Sequence, residues 1–506
     1  MGGLARQDCG QEMSIKRDAM NVLTNPTIPT TPASPALLKA LRDVLGEKGL
    51  LTELTDMKPF LTDWRGQLTG SAAAVARPAS TAEVSALVKL CAADGVAIVP
   101  QGGNTGLMGG ATPYGNHAGI VVSLGRMNRV IEVDWLGSTM TVEAGCVLQT
   151  LQELASDNDR LLPLSLGAQG SCMIGGNLST NAGGAQVLHY GNTRNFVLGL
   201  EVVLASGEVW NGLKALKKDN TGYDLKHLFI GAEGTLGIIT KAVIKVWPKP
   251  KDVATAWINI RDPQAAVELL AEAHIASEDA VTSCELMNRT NLNQVFQNIP
   301  GVVDPLPGGT SPWYLLMEWS SSLPKEGVMS GRMEEFLGEA MERGLVLDAV
   351  LAQSSAHAKA FWHIRESHAE AGRHGAPSVS FDISVASSAI PRFIDEATTA
   401  AKAVLSEIRS CPMGHMGDGN LHFNFMAPEG MSRETYQQYK YAVTRAVNDT
   451  LVPYGGSISA EHGIGSEKVG ELAHYADPVK MATMRAIKRA LDPQNLMNPG
   501  KIFVVD

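Results

Sequence analysis

The chain has 506 residues, 44% hydrophobic and 19% charged, a composition typical of a soluble globular protein too long for one compact core. Its 42 basic and 52 acidic residues give a net charge of -10, which argues against a nucleic-acid partner because phosphate binding needs clustered positive charge. No apolar run is long enough to span a bilayer, and the first nineteen residues contain no secretory signal. The six cysteines occur singly, so we expect reduced thiols and a protein of the cytoplasm, free or peripheral to a membrane.

Helices and short strands follow one another along the chain. Residues 21–35 are rich in Pro, Thr and Ser, which predicts an irregular lead-in. A helical pattern follows in ALLKALRDVLGEKGL, and from about residue 70 apolar strands alternate with Gly-rich loops and with helices such as STAEVSALVKLCAADG. The segment WPKPKD, residues 247–252, is a Pro/Lys break and a candidate domain boundary. These patterns predict an α+β or α/β fold.

Three Gly-rich loops carry the first functional signal. They are VPQGGNTGLMGG (99–110), GSCMIGGNLSTNAGGAQVLHYG (170–191) and GAEGTLGIIT (231–240). Glycines let backbone N–H groups approach an anion closely. Any one loop is explained equally well by tight turns, but three in one region favour a nucleotide diphosphate. Neither GxGxxG nor GxxxxGK[ST] occurs, so a Rossmann site and a P-loop lose support.

Two short segments supply a cluster of histidines. In GHMGDGNLHFNF (414–425), His422 and Asn424 would share one face of a strand, and a reversal at the GDG turn would bring His415 beside His422. SAEHGIG (459–465) adds Glu461 and His462. Imidazole and carboxylate groups are the usual ligands of a divalent metal in an enzyme. The spacing alone leaves open a metal site, a catalytic site and a hairpin with polar decoration.

Four motifs together resemble a known family. PQGGNTGLMGG, GGNLSTNAGGAQVLHYG, GAEGTLGIIT and LDPQNLMNPGK occur in the order found in the FAD-binding domain of the vanillyl-alcohol-oxidase (PCMH) type. Within it the chain resembles the FAD-linked D-2-hydroxyacid dehydrogenases, nearest to the D-2-hydroxyglutarate and D-lactate enzymes, from about residue 60 to the C-terminus. The resemblance implies an α+β fold: a two-subdomain FAD-binding domain and a substrate domain with an antiparallel sheet. We therefore expect an irregular segment at 1–35, the FAD-binding domain at 36–250, the substrate-binding domain at 251–455, and a C-terminal segment at 456–506 that returns to the FAD and active-site interface.

The resemblance also implies the cofactor. Many relatives attach FAD covalently through a histidine in the first loop, where this chain has Asn104, so we expect non-covalent FAD. The first loop would hold the pyrophosphate, the second the pyrophosphate and isoalloxazine, and the third the adenosine side. The implied FAD-binding residues are Pro100, Gly102, Gly103, Asn104, Thr105, Gly106, Gly110, Gly170, Ser171, Gly175, Gly176, Ser179, Thr180, Gly183, Gly184, Glu233, Gly234, Gly237, Ile239 and Asn498.

Relatives of the hydroxyglutarate type carry the same H-x-G-D-G-N-x-H-x-N and S-A-E-H-G-x-G motifs and bind a metal there. The implied ligands are His415, His422 and Glu461, for zinc with manganese or iron as alternatives. His462 is the implied general base, and Asn424 would face the substrate.

Arg365 lies in the family's W-x-[LI]-R-E pattern and would contact the substrate carboxylate. Without the family, a surface arginine paired with Glu366 or Glu370 would be preferred. Ser380 stands where these relatives usually have a lysine, which puts binding of a second carboxylate in doubt.

The expected function is FAD- and metal-dependent oxidation of a D-2-hydroxy acid to the keto acid, with hydride transfer to flavin N5 and a hydroxyl activated by the metal and a histidine. D-2-hydroxyglutarate is the first expected substrate, and D-lactate, glycolate or another monocarboxylate is the alternative. The expected partners are a small 2-hydroxy acid and a separate electron acceptor, either an electron-transfer flavoprotein or a quinone system; a homodimer is left open. The competing classes are a metallohydrolase built on His415, His422 and Glu461, and a non-catalytic flavin-binding subunit.

Overall fold

The computed structural model describes residues 31–113 and 119–505. Most of the predicted irregular segment, residues 1–30 with Cys9, lies outside the described residues. The described chain combines helices with largely antiparallel sheets, which confirms the α+β class. Its cysteines are buried free thiols, as their single spacing predicts. Within these ranges no helix is both long and apolar enough to cross a membrane.

The described residues before 249 form three small sheets. Its helices are α1 (Pro35–Leu45), α2 (Leu54–Leu61), α3 (Thr81–Asp94), α4 (Leu148–Ser156), α5 (Ile174–Thr180), α6 (Val187–Tyr190), α7 (Thr193–Phe196) and α8 (Lys226–Phe229). Its strands are β1 (Leu50–Leu51), β2 (Ala74–Ala76), β3 (Ile98–Gln101), β4 (Ile120–Ser123), β5 (Val130–Asp134), β6 (Thr139–Glu143), β7 (Arg160–Leu161), β8 (Val197–Leu204), β9 (Val209–Gly212), β10 (Gly237–Lys245) and β11 (Trp247–Pro248).

Local sequence signals explain where the early helices begin and end. The side chain of Ser34 accepts the N–H of Leu37 and so caps α1. Helix α1 is shorter than the helix predicted over residues 36–50. The chain leaves the helix at Gly46, which has a φ of 73°. Helix α3 has the predicted extent, with Ser80 as its N-cap and Gly95 in the left-handed conformation at its end.

Two of these sheets bring the Gly-rich loops together. The first has the order β1-β2-β4-β3, and its β2, β4 and β3 are parallel. The second is antiparallel with the order β5-β6-β10-β8-β9. The third is the short pair β11-β7. The first Gly-rich loop leaves β3, the second surrounds α5, and the third leads into β10.

The rest of the chain is built on one larger sheet. Its helices are α9 (Pro263–Ala276), α10 (Arg289–Asn298), α11 (Val328–Glu342), α12 (Ser355–Glu366), α13 (His368–His374), α14 (Ile390–Val404), α15 (Arg433–Gln437), α16 (Lys440–Leu451), α17 (Val469–Tyr475) and α18 (Pro478–Leu491). Its strands are β12 (Asp252–Ile260), β13 (Val281–Asn288), β14 (Trp313–Ser321), β15 (Val346–Leu351), β16 (Ser378–Ser384), β17 (Arg409–His415) and β18 (Asn420–Met426).

This sheet is antiparallel, with the order β15-β12-β14-β13-β17-β18-β16, as expected for the substrate domain. One face is apolar and packs on α9, α11, α14 and α16 through residues such as Phe381, Phe423 and Trp319. The opposite face is apolar in its middle, around Trp257 and Tyr314, and polar along β17, β18 and β16. Alternate residues of a strand point to opposite faces, so this polar end presents one aligned set of side chains.

Candidate active site

A hairpin of β17 and β18 places the two predicted histidine ligands side by side. His415 ends β17 and pairs with Asn420, the first residue of β18, across the turn 416–419. Gly419 has φ 81°, and a side chain there would collide with the backbone of Val385, so the turn requires glycine. The Nε2 atoms of His415 and His422 are 3.4 Å apart. The predicted reversal at the GDG turn is confirmed.

Glu461 joins these histidines from the loop after α16. One of its carboxylate oxygens is 3.9 Å from His415 Nε2, and the other is 4.0 Å from His422 Nε2. Ligand atoms bound tetrahedrally to one zinc ion at about 2.1 Å are about 3.4 Å apart, so the three side chains fit around a single ion. Burial and the neighbouring His415 lower the pKa of His422, which favours the neutral form that a metal requires.

Glu285, in β13, orients His415 through Nδ1, the ring nitrogen that does not face His422 and Glu461. Its fully buried carboxylate lies 2.6 Å from His415 Nδ1 and accepts the Nε–H of Arg365 at 2.6 Å. Burial alone would raise the pKa of Glu285, but Arg365 and His415 outweigh it and hold the pKa at about 2. A carboxylate on the far nitrogen of a metal-binding histidine fixes the ring and increases its basicity.

Arg365 therefore has a protein partner that its helix did not suggest. Its contact with Glu285 is made through Nε, and within the described residues neither Glu366 nor Glu370 forms an ion pair with it. The Nε contact leaves the terminal amino groups of the guanidinium for a second anion.

A second buried carboxylate organises the loop that carries Glu461 and His462. Asp382, in β16, accepts the backbone N–H groups of Glu461 at 3.0 Å and His462 at 2.8 Å, and the side-chain amide of Asn420 at 3.0 Å. Its carboxylate is 3.5 Å from His462 Nδ1 and 3.9 Å from His422 Nδ1. These histidines keep the pKa of Asp382 far below its usual range despite burial, so the group is an anion.

His462 lies beside the predicted metal ligands. Its ring stacks on that of His422 with the centroids 5.9 Å apart, and its side chain is 28% exposed. Asn424 follows His422 on the same face of β18 and is half-buried. An imidazole with one nitrogen beside Asp382 and an accessible edge can exchange a proton with a bound ligand.

The second Gly-rich loop touches this cluster. Glu461 Oε1 accepts the N–H of Gly184 at 2.8 Å, and a side chain at Gly183 would collide with the same carboxylate. The third loop reaches it as well, since the Glu233 carboxylate accepts the N–H groups of Ile464 and Gly465 at 2.8 Å each. The predicted cofactor loops and the predicted metal ligands therefore meet at one place.

The glycines of these loops fit a large planar or phosphate-bearing group. A side chain at Gly103 would collide with the backbone of Ser171, so the first two loops run in backbone contact. By contrast, the positions beside Gly106 and Gly176 face open space. Gly234 packs on Pro100, and Gly110 lies against the Glu233 carboxylate. Close loops with room beside selected glycines form the kind of cradle that FAD needs.

Two asparagines hold the cradle. Asn104, at φ 53°, donates its side-chain amide to the carbonyl of Thr62 at 2.8 Å. Asn498 donates to the carbonyls of Gly110 and Glu233 at 2.9 and 2.7 Å, and so ties the C-terminal segment to the first and third loops. An amide cannot form the covalent flavin link that a histidine forms, and non-covalent FAD stays a prediction.

Other predicted cofactor residues face the protein itself. The hydroxyls of Ser179 and Thr180 donate to the carbonyls of Gly175 and Gly176 within their own helix. Ile239 is a buried core residue of β10, where Gly237 pairs with β8. These positions can contribute backbone atoms or shape. Thr105, Gly102 and Gly170 remain in the loops as predicted.

Glu285 and Asp382 had no role assigned from the sequence. A signal for each exists, because both are single carboxylates within otherwise apolar or small-residue strands, VTSCELMN and SVSFDIS. A buried charge is costly unless it is paired, so an acid in such a strand indicates a partner across the sheet. The partner becomes identifiable only from the strand order, which places β13 beside β17 and β16 beside β18.

Comparison with known proteins gives concordant results. Residues 72–212 match the model of the FAD binding domain, and residues 249–502 match that of the C-terminal domain of FAD linked oxidases. A protein of Arabidopsis thaliana named "D-2-hydroxyglutarate dehydrogenase, mitochondrial" is 37% identical over 91% of this chain and 80% of its own length. A protein of Xanthomonas citri named D-2-hydroxyglutarate dehydrogenase is 36% identical over 90% of this chain and 94% of its own length.

Solved structures share the fold at low sequence identity. p-Cresol methylhydroxylase superposes with a TM-score of 0.72 at 19% identity and covers 93% of this chain and 96% of its own. Alkyldihydroxyacetonephosphate synthase superposes with a TM-score of 0.70, also at 19% identity, over 94% of this chain and 88% of its own. At such identities these structures speak to the fold alone, and they agree with the fold predicted from the Gly-rich motifs.

Proposed function

This chain belongs to the family of FAD-linked oxidases, and as an FAD-dependent oxidoreductase of that family we propose that it oxidises a D-2-hydroxy acid at a metal centre. The observation that supports the metal centre is the position of Glu461. Its carboxylate lies between His415 and His422 and also accepts the N–H of Gly184 in the second Gly-rich loop. A substrate held by the three ligands would therefore lie against the second Gly-rich loop, which is predicted to bind the cofactor.

Two groups from outside the chain would supply the redox and Lewis-acid chemistry. FAD, held by the Gly-rich loops, would supply a hydride acceptor, and a divalent metal, zinc first, held by His415, His422 and Glu461, would polarise the hydroxyl and carboxylate of the acid. The chain's own contribution is orientation. Glu285 holds the ring of His415, and Asp382 holds the backbone of Glu461 and His462, so both sides of the ligand set are fixed by buried carboxylates.

His462 is the proposed acceptor of the substrate's hydroxyl proton. The Asp382 carboxylate 3.5 Å from Nδ1 stabilises the positive charge that the ring would gain, while Nε2 is left to face the substrate. Arg365 would complete the site, because the amino groups not engaged with Glu285 can bind the carboxylate of the acid. Asn424 would lie along the remainder of the substrate.

D-2-Hydroxyglutarate and D-lactate are the two reference substrates. The names of the relatives favour D-2-hydroxyglutarate. Ser380 favours D-lactate, which has only one carboxylate. This serine is exposed beside Asn424, at the position where relatives usually have a lysine that could bind a second carboxylate. A separate electron acceptor, the division of the chain at residue 250 and a homodimeric assembly belong to the same proposal.

The test is anaerobic bleaching of the flavin in the purified protein. Each of a set of D- and L-2-hydroxy acids is mixed with enzyme that has been stripped of metal and then supplied with zinc, manganese or no metal. We expect bleaching by a D acid in the metal-loaded protein. Bleaching by none of the acids would contradict the proposed activity, and equal bleaching after verified metal removal would contradict the role of the metal.

A further inference from the structure

A small cavity lies beside the candidate active site, beyond Asn424. Its volume is about 30 Å³, and its walls include Asn291, His368, Ser378, Asn424 and Met413. Such a volume holds about two water-sized groups. Asn424 is two residues beyond His422 on one strand, so the cavity begins about 7 Å from a predicted metal ligand, within reach of the third and fourth carbons of a bound hydroxy acid.

The hydrogen bonds of His368 define what its ring offers. Nδ1 lies 3.1 Å from the carbonyl of Ile364 and 3.0 Å from that of Arg365. Both partners are acceptors, so Nδ1 carries the proton and donates it. In a neutral ring the other nitrogen, Nε2, is then a bare acceptor. Burial, with the nearby Arg365, lowers the pKa of His368 to about 3, so the ring is neutral in the physiological range.

Nε2 of His368 is buried and has no hydrogen-bond partner among the described residues. A buried acceptor without a partner loses its hydration without compensation, and a ligand that donates a hydrogen bond to it recovers that loss. No lysine or arginine is among the described residues that line the cavity. Both amide hydrogens of Asn291 are taken by the carbonyls of Cys411 and Pro412, and one amide hydrogen of Gln294 is directed at the sulfur of Met426. The side-chain amide of Asn424 and the hydroxyl of Ser378 are neutral donors in the same wall.

Two arginines of the flanking helices are engaged elsewhere. Arg365 is paired with Glu285 at 2.6 Å, and in the proposed function its remaining amino groups bind the reacting carboxylate of the acid, not a second one. The guanidinium of Arg373 lies on the ring of Trp64, 4.4 Å from its centroid. A carboxylate in the cavity would therefore bring three heavy atoms and a negative charge against a bare nitrogen lone pair. A hydroxymethyl group has two heavy atoms and supplies the missing donor.

We propose that this cavity is the subsite for the end of the substrate remote from its reacting carboxylate, and that His368 selects acids whose fourth carbon bears a hydroxyl over those whose fourth carbon bears a methyl or a second carboxylate. This inference rests on the proposed function, because it presumes a 2-hydroxy acid bound at His415, His422 and Glu461. It narrows the substrate class to D-2-hydroxy acids with a neutral hydrogen-bond donor at the remote end.

Three acids that differ at one group test the proposal: D-2,4-dihydroxybutanoate, D-2-hydroxypentanoate and D-2-hydroxyglutarate. They present a hydroxyl, a methyl and a carboxylate on the same C4. We expect kcat/KM for the hydroxyl acid to exceed that for the methyl acid about tenfold or more, since a pocket built to pair a hydroxyl leaves its acceptor unpaired with a methyl. The carboxylate acid should be the poorest of the three.

His368→Leu and His368→Phe should each reduce the preference for hydroxyl over methyl to within about twofold, mainly through KM. Both variants lose the hydrogen bond that His368 Nδ1 donates at the end of α12. Two are used because Phe preserves the flat shape of the imidazole ring and Leu does not. His363→Leu is the matched control, since His363 is exposed on the preceding helix, α12, and does not line the cavity. A wild-type preference for D-2-hydroxyglutarate, or a hydroxyl preference that survives both substitutions, would overturn the proposal.

Failure of the proposed function has a separate signature. If none of the three acids bleaches the flavin, the activity is wrong, and the subsite is still tested by binding of the three corresponding 2-keto acids, followed as shifts in the flavin spectrum. The expected order of affinity is the same, with the 4-hydroxy compound tightest. Binding in another order, or no binding, would contradict the assignment of the cavity.

Discussion

Replacing Glu285 by glutamine tests whether His415 is held for a metal. The carboxylate is fully buried and has one oxygen on His415 Nδ1 and the other on Arg365 Nε, both at 2.6 Å. The amide of glutamine retains one acceptor and turns an N–H₂ group toward a donor. It also removes the only negative charge in direct contact with Arg365 among the described residues.

The size of the effect follows from these contacts. Breaking a buried ion pair by removing one partner costs about 3–5 kcal/mol, and we expect the lower end because one hydrogen bond survives. Loss of the group that orients a metal-binding histidine weakens metal binding about 10–100-fold, which is about 1.4–2.7 kcal/mol. Flavin reduction at limiting metal should fall by a similar factor.

The assay is competition of the purified Glu285→Gln protein with a chelator of known affinity, with metal content measured at each step and urea unfolding followed in parallel. Glu318→Gln is the control. Glu318 lies on the same face of the neighbouring strand, but its partners are Trp362 and Thr255, and burial raises its pKa, so it tolerates loss of charge. Unchanged metal affinity in Glu285→Gln, with activity within twofold of wild type, would refute the role of Glu285 and weaken that of His415.

Three further predictions follow from the same geometry. A chelator should abolish flavin reduction while the visible flavin absorbance stays with the protein, because the metal and FAD are held by different residues; simultaneous release of both would contradict this. His462→Ala should lower the rate of flavin reduction about 10²–10⁴-fold, and a loss smaller than tenfold would leave His462 only an orienting role. Acid precipitation should release all the FAD into the supernatant, because Asn104 donates its amide to Thr62 and forms no flavin bond; flavin retained in the pellet would show a covalent link elsewhere.

The parts of the site that lie close together along the chain were predictable. His415, His422 and Asn424 are separated by a turn and a strand step, and the rules of hairpin geometry put them on one face. The extent of α3 also followed from its caps and apolar spacing. Helix α1 proved shorter than its apolar pattern, because Gly46, with a positive φ of 73°, ends the helix before that pattern ends.

The parts that depend on strand order were not predictable in the same way. Glu285 is 130 residues from its partner His415, and Asp382 is 80 residues from His462. No periodicity in the sequence connects such distant positions. The pairing of β13 with β17 and of β16 with β18 is therefore visible only in the structure. The same limit explains Arg365, whose nearest acids along the helix were plausible partners until the sheet brought Glu285 beneath it.

The loops show a third kind of difference. The place of Glu233 along the adenosine side of the cofactor stays a prediction; what the sequence did not predict is that its carboxylate accepts the N–H groups of Ile464 and Gly465. Its position within the third Gly-rich loop was visible in the sequence, whereas the segment that contacts its carboxylate, residues 464–465, was not.

The central claim is that a hydroxy acid held by His415, His422 and Glu461 delivers its C2 hydrogen directly to the flavin beside Gly184. Anaerobic rapid mixing of metal-loaded protein with a D-2-hydroxy acid, carrying either hydrogen or deuterium at C2, measures this step as the rate of flavin bleaching. We predict slower bleaching with the deuterated acid in the metal-loaded protein and no bleaching in the metal-free protein. Equal rates with and without metal, or bleaching by the L acid alone, would contradict the account.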